Sequence, residues 1–178
     1  MKNLKNVLVK KIGHGITSLK INDPKTYNSL STITLTELLN AFKKLDNDKE
    51  TKVIILEGIG KGFSAGHNLK EIEGLKKKVK YLKLFKLCSK LMLQIVEGRK
   101  PTIAKVHGAA FAAGCQLVAS CDLAFSTNDA IFATPGVNIG LFCSTPMVAV
   151  SRKINRKRMM KMLLTGEPIK ANYAKEIG

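Results

Sequence analysis

No apolar run in these 178 residues approaches the ~20 needed to cross a bilayer, so no membrane partner is expected. Cysteine is scarce. Cys88, Cys115, Cys121 and Cys143 form no C-x-x-C pair, and the nearest two lie six apart in an apolar stretch. That suggests neither a disulfide framework nor a zinc site and predicts reduced, mostly buried thiols. The three histidines, His14, His67 and His107, show no metal-ligand spacing, so no metal is expected. Acidic residues are few, 13 against 30 basic, for a net charge of +17. Such an excess suits nucleic acid, an anionic membrane or an anionic small molecule. Only four of the basic residues are Arg, the usual choice for reading phosphates and bases. The lysines run the length of the chain, so a nucleic-acid partner is not the expected one. The start, Met1 to Asn6, has neither the apolar core of a secretory signal nor the Arg-rich character of a transit peptide. The cytoplasm is the default compartment, with the mitochondrial matrix as the alternative.

By length and composition, 45% apolar and 24% charged, residues 1–178 read as one globular domain with a substantial core. Val7 to Lys11 and Ile16 to Ile21 alternate apolar and polar residues around Gly13-His14-Gly15, a β-hairpin pattern. Asn22-Asp23-Pro24 is a turn. Leu35, Leu38, Leu39, Phe42 and Leu45 recur at helical spacing between Thr32 and Leu45. Val53 to Leu56 is a short buried strand leading into a glycine-rich loop, Gly58 to Gly66. Gly74 and Gly98 bracket a long helix. Leu84, Phe85, Cys88, Leu91, Met92 and Ile95 share one side of it, and Lys76, Lys80, Lys83, Lys86 and Lys90 are expected on the other. The lysine row is most simply a solvated face; an RNA-binding comb is the sharper alternative. Thr102 to Val106 is the next buried strand. The small residues Ala109 to Gly114 are expected to open a helix through Ala119. Strands follow at Leu123 to Ser126 and Ile131 to Ala133, and helices at Thr145 to Arg152 and Asn155 to Leu164. This order predicts an α/β fold with right-handed crossovers and helices covering the sheet.

Two loop-to-helix junctions can carry chemistry. One is Gly60 to Leu69 and the other Gly108 to Gly114, each after a buried strand. Small residues let a ligand approach the main chain, and unpaired N–H groups at a helix start favour negative charge. Two such amides converging on one oxygen would make an oxyanion hole. Tight helix–sheet packing is the alternative explanation for the same small residues.

Four ordered segments resemble the crotonase (enoyl-CoA hydratase/isomerase) family. Asn22-Asp23-Pro24-Lys25 through Asn28-Ser29-Leu30 is similar to its N-terminal motif. Phe63-Ser64-Ala65-Gly66-His67-Asn68-Leu69 resembles its F-x-A-G-x-D-L loop. Val106-His107-Gly108 through Gly114-Cys115-Gln116-Leu117 and Cys121-Asp122 resembles V-x-G-x-A-x-G-G-G-x-E-L…C-D, and Phe132 to Gly136 resembles F-x-x-P-E. Within the family, "SAGHNLKE", "AAGCQLVASCD" and "ATPGVNIGLFCSTP" look most like the enoyl-CoA hydratase domain-containing protein 3 branch.

The resemblance implies the crotonase fold of ββα-type units and a role in acyl-CoA and fatty-acid metabolism. Coenzyme A would come as part of the substrate and no separate cofactor is implied. The main-chain N–H groups of His67 and Ala113 become the oxyanion hole for the thioester. Ala65, Gly66 and Gly114 shape the binding loops, with the Ala65 carbonyl facing adenine, and Lys25 and Lys70 lie where cations would meet the CoA phosphates. The family's hydratases carry Glu at the positions of Gln116 and Gly136. Neither residue here can accept a proton near neutral pH, so ordinary hydration is not expected. Isomerisation, decarboxylation or thioester hydrolysis would remain, or a non-catalytic acyl-CoA binder. His67 is the best-placed titratable group, although its imidazole is expected to face solvent with only its main chain in use. Asp122 reads as a structural hydrogen-bond acceptor, and Cys143 and Ser144 as lining of an acyl pocket. Family members continue past the position of Gly178 into helices that cover the acyl site and build a trimer. A chain truncated here would lack that helical region and leave an apolar face uncovered.

Overall fold

The structure, a computed structural model, describes residues 4–178, so the first half of the Met1 to Asn6 start lies outside the described residues. The alternating segments form an antiparallel hairpin of β1 (Val7–Gly13) and β2 (Ile16–Ile21). α1 (Thr32–Asn47) then crosses to β3 (Val53–Gly58), and α2 (Leu69–Gly74) and α3 (Lys78–Val96) cross to β4 (Thr102–Val106). β5 (Ala109–Phe111) and α4 (Ala113–Ser120) lead to β6 (Leu123–Ser126). The strands order as β1-β2-β3-β4-β6, parallel from β2 onward. Such neighbours need crossovers of this kind because a hairpin cannot join parallel strands. β5 belongs to a smaller sheet, pairing with β7 (Ile131–Ala133), which in turn pairs with β8 (Ile169–Lys170). α5 (Ser144–Val150), α6 (Arg156–Thr165) and α7 (Ala171–Glu176) complete the described chain.

The helical spacing read in α1 becomes its buried stripe, Leu35, Leu38, Leu39, Phe42 and Leu45. Burial of each such side chain contributes about 1.5–3 kcal/mol. The Ser31 hydroxyl starts the helix by accepting the Thr34 N–H at 3.2 Å. α1 packs on α3, whose Leu84, Cys88, Leu91, Met92 and Ile95 are buried, and beneath them lie Leu19, Ile21, Ile54, Leu56, Ala104 and Val106 of the sheet. The opposite sheet face is charged. Lys20, Glu57 and Lys105 align across β2, β3 and β4, with Glu57 3.1 Å from Lys20 and 3.7 Å from Lys105. Burial would raise the Glu57 pKa, but hydrogen bonds from Ser18 and Lys20 and the two lysine charges hold it below the ordinary value.

Two expectations need correction. The long helix expected between Gly74 and Gly98 is α3, but it begins only at Lys78, because Lys76 before it has a left-handed backbone (φ 49°). Lys76 is therefore off α3. Lys80 precedes Leu84 by four residues and so lies on the same side of α3 as the core stripe, yet is exposed. Ala109 to Gly114 does not open as helix. Its first three residues form β5, because pairing with β7 satisfies their backbone groups before the helix begins at Ala113.

Asn28 joins the turn after β2 to the loop after β3. Fully buried and left-handed (φ 55°), it accepts the Asp23 N–H at 2.9 Å and donates to the Ile59 and Gly62 carbonyls at 2.9 and 2.8 Å. Asn28→Ala strands all three groups, so urea unfolding should show a loss of about 2–4 kcal/mol. A loss under 0.5 kcal/mol, the ordinary range for a surface substitution, would mean that these bonds do not position the loop.

Candidate functional site: two paired bends

The two bends read from the sequence are joined through their main chains. The Ser64 N–H donates to the Ala109 carbonyl at 3.0 Å, the Phe111 N–H donates to the Ser64 carbonyl at 2.9 Å, and the Ser64 hydroxyl donates to the Asn28 carbonyl at 2.9 Å. This pairing is closer than side chains allow. A Cβ on Gly114 would collide with the Ser64 carbonyl oxygen, and one on Gly108 with that of Lys61. A Cβ on Gly66, already at φ +89°, would lie 2.8 Å from the Phe111 oxygen and 3.2 Å from the Ala113 nitrogen. His67, next along, is thus a neighbour of Ala113. Among the described residues, neither the His67 nor the Ala113 N–H donates to a protein acceptor. The Ala113 amide also opens α4, where the helix dipole adds partial positive charge.

The residue before it, Ala112, was missed in the sequence. It has φ 48° and ψ −116°, a conformation suited to glycine. Its N–H donates to the Ala133 carbonyl at 2.9 Å and its own carbonyl accepts the Gln116 N–H at 3.0 Å. Those bonds over-determine the bend and hold an alanine there at a cost of about 1–3 kcal/mol. The departure of the A-A-G run from G-G-G was the available signal, but its consequence falls on Ala112 rather than on Ala113.

The His67 imidazole is turned inward, contrary to the expectation of a solvent-facing ring. Its Nδ1 lies 3.4 Å from the Leu30 carbonyl oxygen, and Phe85 meets the ring edge-on at a centroid distance of 5.3 Å. A carbonyl only accepts, so Nδ1 carries the proton and Nε2 is a bare acceptor, buried without a protein partner among the described residues. Burial lowers the His67 pKa below its ordinary 6.5, outweighing the Leu30 carbonyl and the Glu71 charge, which act to raise it. Asn68 caps α2, its Oδ1 accepting the Glu71 N–H at 3.0 Å, a role not anticipated from the sequence.

An enoyl-CoA hydratase/isomerase family profile matches residues 11–178. The chain belongs to the enoyl-CoA hydratase/isomerase family. It is 46% identical over 161 residues to the enoyl-CoA hydratase domain-containing protein 3, mitochondrial, of Xenopus laevis, covering 90% of this chain and 55% of that protein. The Homo sapiens counterpart is 46% identical over 160 residues, covering 90% and 53%. The chain thus spans about half the length of these curated relatives. Among solved structures, an enoyl-CoA hydratase of Mycobacterium smegmatis superposes with a TM-score of 0.96 at 46% identity, covering 98% of this chain and 68% of that one. The human domain-containing protein 3 superposes at 0.94 with 42% identity and coverages of 98% and 68%. The crotonase fold is therefore the fold of this chain.

At the positions where the family resemblance expects two carboxylates, Gln116 is buried on α4 with its Oε1 unpartnered among the described residues. Gly136 is buried too, and its N–H donates to Cys143 Sγ at 3.3 Å. A Cβ there would lie 2.8 Å from both Cys143 Sγ and the Leu141 carbonyl oxygen. The space a glutamate would enter is filled by the chain itself. Thr134, fully buried, is the third side chain among the described residues with a buried polar atom that lacks a partner. Cys143 faces Gly136, whereas Ser144 is exposed at the start of α5. Burial raises the pKa of Cys143, pushes Cys88 and Cys115 up to about 12 and Cys121 higher, so none is a thiolate at neutral pH. Asp122 accepts the Thr102 N–H at 2.7 Å, the structural role expected of it. Ala65 donates its N–H to the Tyr27 carbonyl at 2.9 Å. Lys25 and Lys70 are exposed on the two segments joined by the Leu30–His67 bridge. A groove of about 270 Å³ between α6 and α7, lined among others by Arg158, Lys161 and Tyr173, touches none of these residues.

Ala112→Gly relieves the backbone and should stabilise the protein by about 1 kcal/mol in urea unfolding. Destabilisation would mean that the alanine methyl contributes more than the strain costs. The buried neutral His67 makes the unfolded chain the stronger proton binder below pH 6.5, its ordinary pKa. Its contribution to stability is full above that pH and is lost as pH falls toward the lowered folded value. The drop in urea midpoint between about pH 7.5 and about pH 5.5 should therefore be smaller in His67→Gln than in the wild type. Equal drops would contradict this environment.

Proposed function

We propose that this chain binds an acyl-CoA thioester, with the His67 and Ala113 N–H groups donating to the thioester oxygen. The observation that carries this reading is the pair of unused amides on two bends locked together at Ser64. Donors fixed by main-chain pairing need no reorganisation as negative charge develops, the requirement for stabilising an enolate. The Ala65 carbonyl toward adenine, and Lys25 and Lys70 toward the CoA phosphates, complete the proposed contacts, with Gly66 and Gly114 leaving room for the acyl end. Hydration by two carboxylates is not the reaction proposed. Gln116 cannot take a proton from water, and the Gly136 side is occupied by Leu141 and Cys143. Each missing acid/base group forfeits about 10²–10⁴-fold in rate. The remaining titratable side chain on the bends is His67, whose neutral Nε2 is buried without a protein partner among the described residues.

A second reading, a non-catalytic acyl-CoA binder, is favoured by the filled space at Gly136. Exposed Ile139, Leu141, Phe142 and Val148 (58, 54, 48 and 48%) support association with further polypeptide, a trimer of its own kind included. The vertebrate relatives are named as mitochondrial, which favours the matrix over the cytoplasm as the place of action.

Calorimetry with CoA and acetyl-CoA should show the thioester binding about tenfold more tightly, as two added hydrogen bonds allow. Crotonyl-CoA should remain unhydrated. Butyryl-CoA incubated in D₂O should exchange its α-protons if the site makes an enolate, and exchange should fail in His67→Gln. Binding without exchange establishes the second reading. Equal affinity for CoA and acetyl-CoA, or rapid hydration, would overturn the first.

A further inference from the structure

α3 contains five lysines and no acidic residue. Its inner side is accounted for by the core, but its outer side is not a simple solvated face. At ~100° per residue, Val79, Leu82 and Leu93 fall within about 100° of Lys83, Lys86 and Lys90, all on the side away from Leu84, Cys88 and Leu91. The three apolar residues are 62, 47 and 52% exposed, and the three lysines are exposed between them. Among the described residues, no lysine of α3 pairs with a carboxylate. A solvated helix face would carry polar residues at 79, 82 and 93, and free lysines beside exposed aliphatic side chains call for a partner that is both anionic and apolar.

We propose that this face of α3 docks on an anionic lipid surface, with Val79, Leu82 and Leu93 entering the headgroup boundary and Lys83, Lys86 and Lys90 reaching its phosphates. The residues span about 21 Å along the helix, enough to lie in the plane of an interface. Lysine suits the role because its stem stays with apolar surface while the ammonium reaches the headgroups. The alternatives fit less well. RNA is read by arginine and aromatic stacking, and this stripe offers aliphatic groups in their place. A second copy would bring its own unpaired lysines against these, on a chain of net charge +17.

The test is co-sedimentation of the full chain with phosphatidylcholine vesicles, plain or about one-third phosphatidylserine, across a salt series. The wild type should bind the anionic vesicles only, with affinity falling as salt rises. Lys83→Glu/Lys86→Glu/Lys90→Glu and, separately, Val79→Ser/Leu82→Ser/Leu93→Ser should each weaken binding about tenfold or more. All these residues are exposed, so circular dichroism should be unchanged. Full binding by the serine variant would reduce the effect to charge alone and overturn the proposal. So would equal binding to neutral vesicles, no binding to either, preferential capture of polyadenylate RNA, or self-association abolished by the serine variant.

Discussion

Everything at the candidate site depends on the two main-chain hydrogen bonds that Ser64 makes with Ala109 and Phe111. They are an isolated patch of parallel pairing between the loop after β3 and strand β5. Because backbone meets backbone there, the contact tolerates no side chain at Gly66, Gly108 or Gly114. Rigid pairing of this kind fixes two neighbouring peptide groups without spending any side chain on the task. That is why function at such a site can survive substitutions that would disarm one built from catalytic side chains.

The substitutions are of two physical kinds. Alanine at 112 and 113 preserves the backbone path and is paid for in strain at Ala112, held by the Ala133 and Gln116 bonds. Gln116 and Gly136 instead change what the site can do. Where the family resemblance expects carboxylates, one is a neutral amide and the other has no side chain, with Leu141 and Cys143 lying where its Cβ would be. With His67 neutral as well, the named groups around the bends favour hydrogen bonding to an oxygen over proton relay through carboxylates. Acyl-CoA binding with enolate stabilisation is the chemistry consistent with what remains.

Much of this was legible in the sequence. Alternation gave the β1–β2 hairpin, helical spacing gave α1 and the buried stripe of α3, and β4 fell at Thr102–Val106 as read. What was missed is local. β5 is built from small residues with little strand preference and is a strand because β7 lies beside it. Gly74 marked the boundary before α3, but the left-handed Lys76 that delays the helix to Lys78 had no signal of its own. The inward turn of His67 is decided by Leu30 and Phe85, 37 residues before and 18 after it in the chain. At β5 and at His67, tertiary neighbours overrode a local signal.

The central claim is that the His67 and Ala113 amides receive the thioester oxygen. The most direct measurement follows the two backbone N–H resonances by ¹⁵N-resolved NMR as acetyl-CoA is added, with CoA as the control. Both should move downfield with acetyl-CoA well beyond their response to CoA, as amides do on gaining a hydrogen bond. If they stay in place while other resonances report binding, the thioester lies elsewhere and the account is wrong.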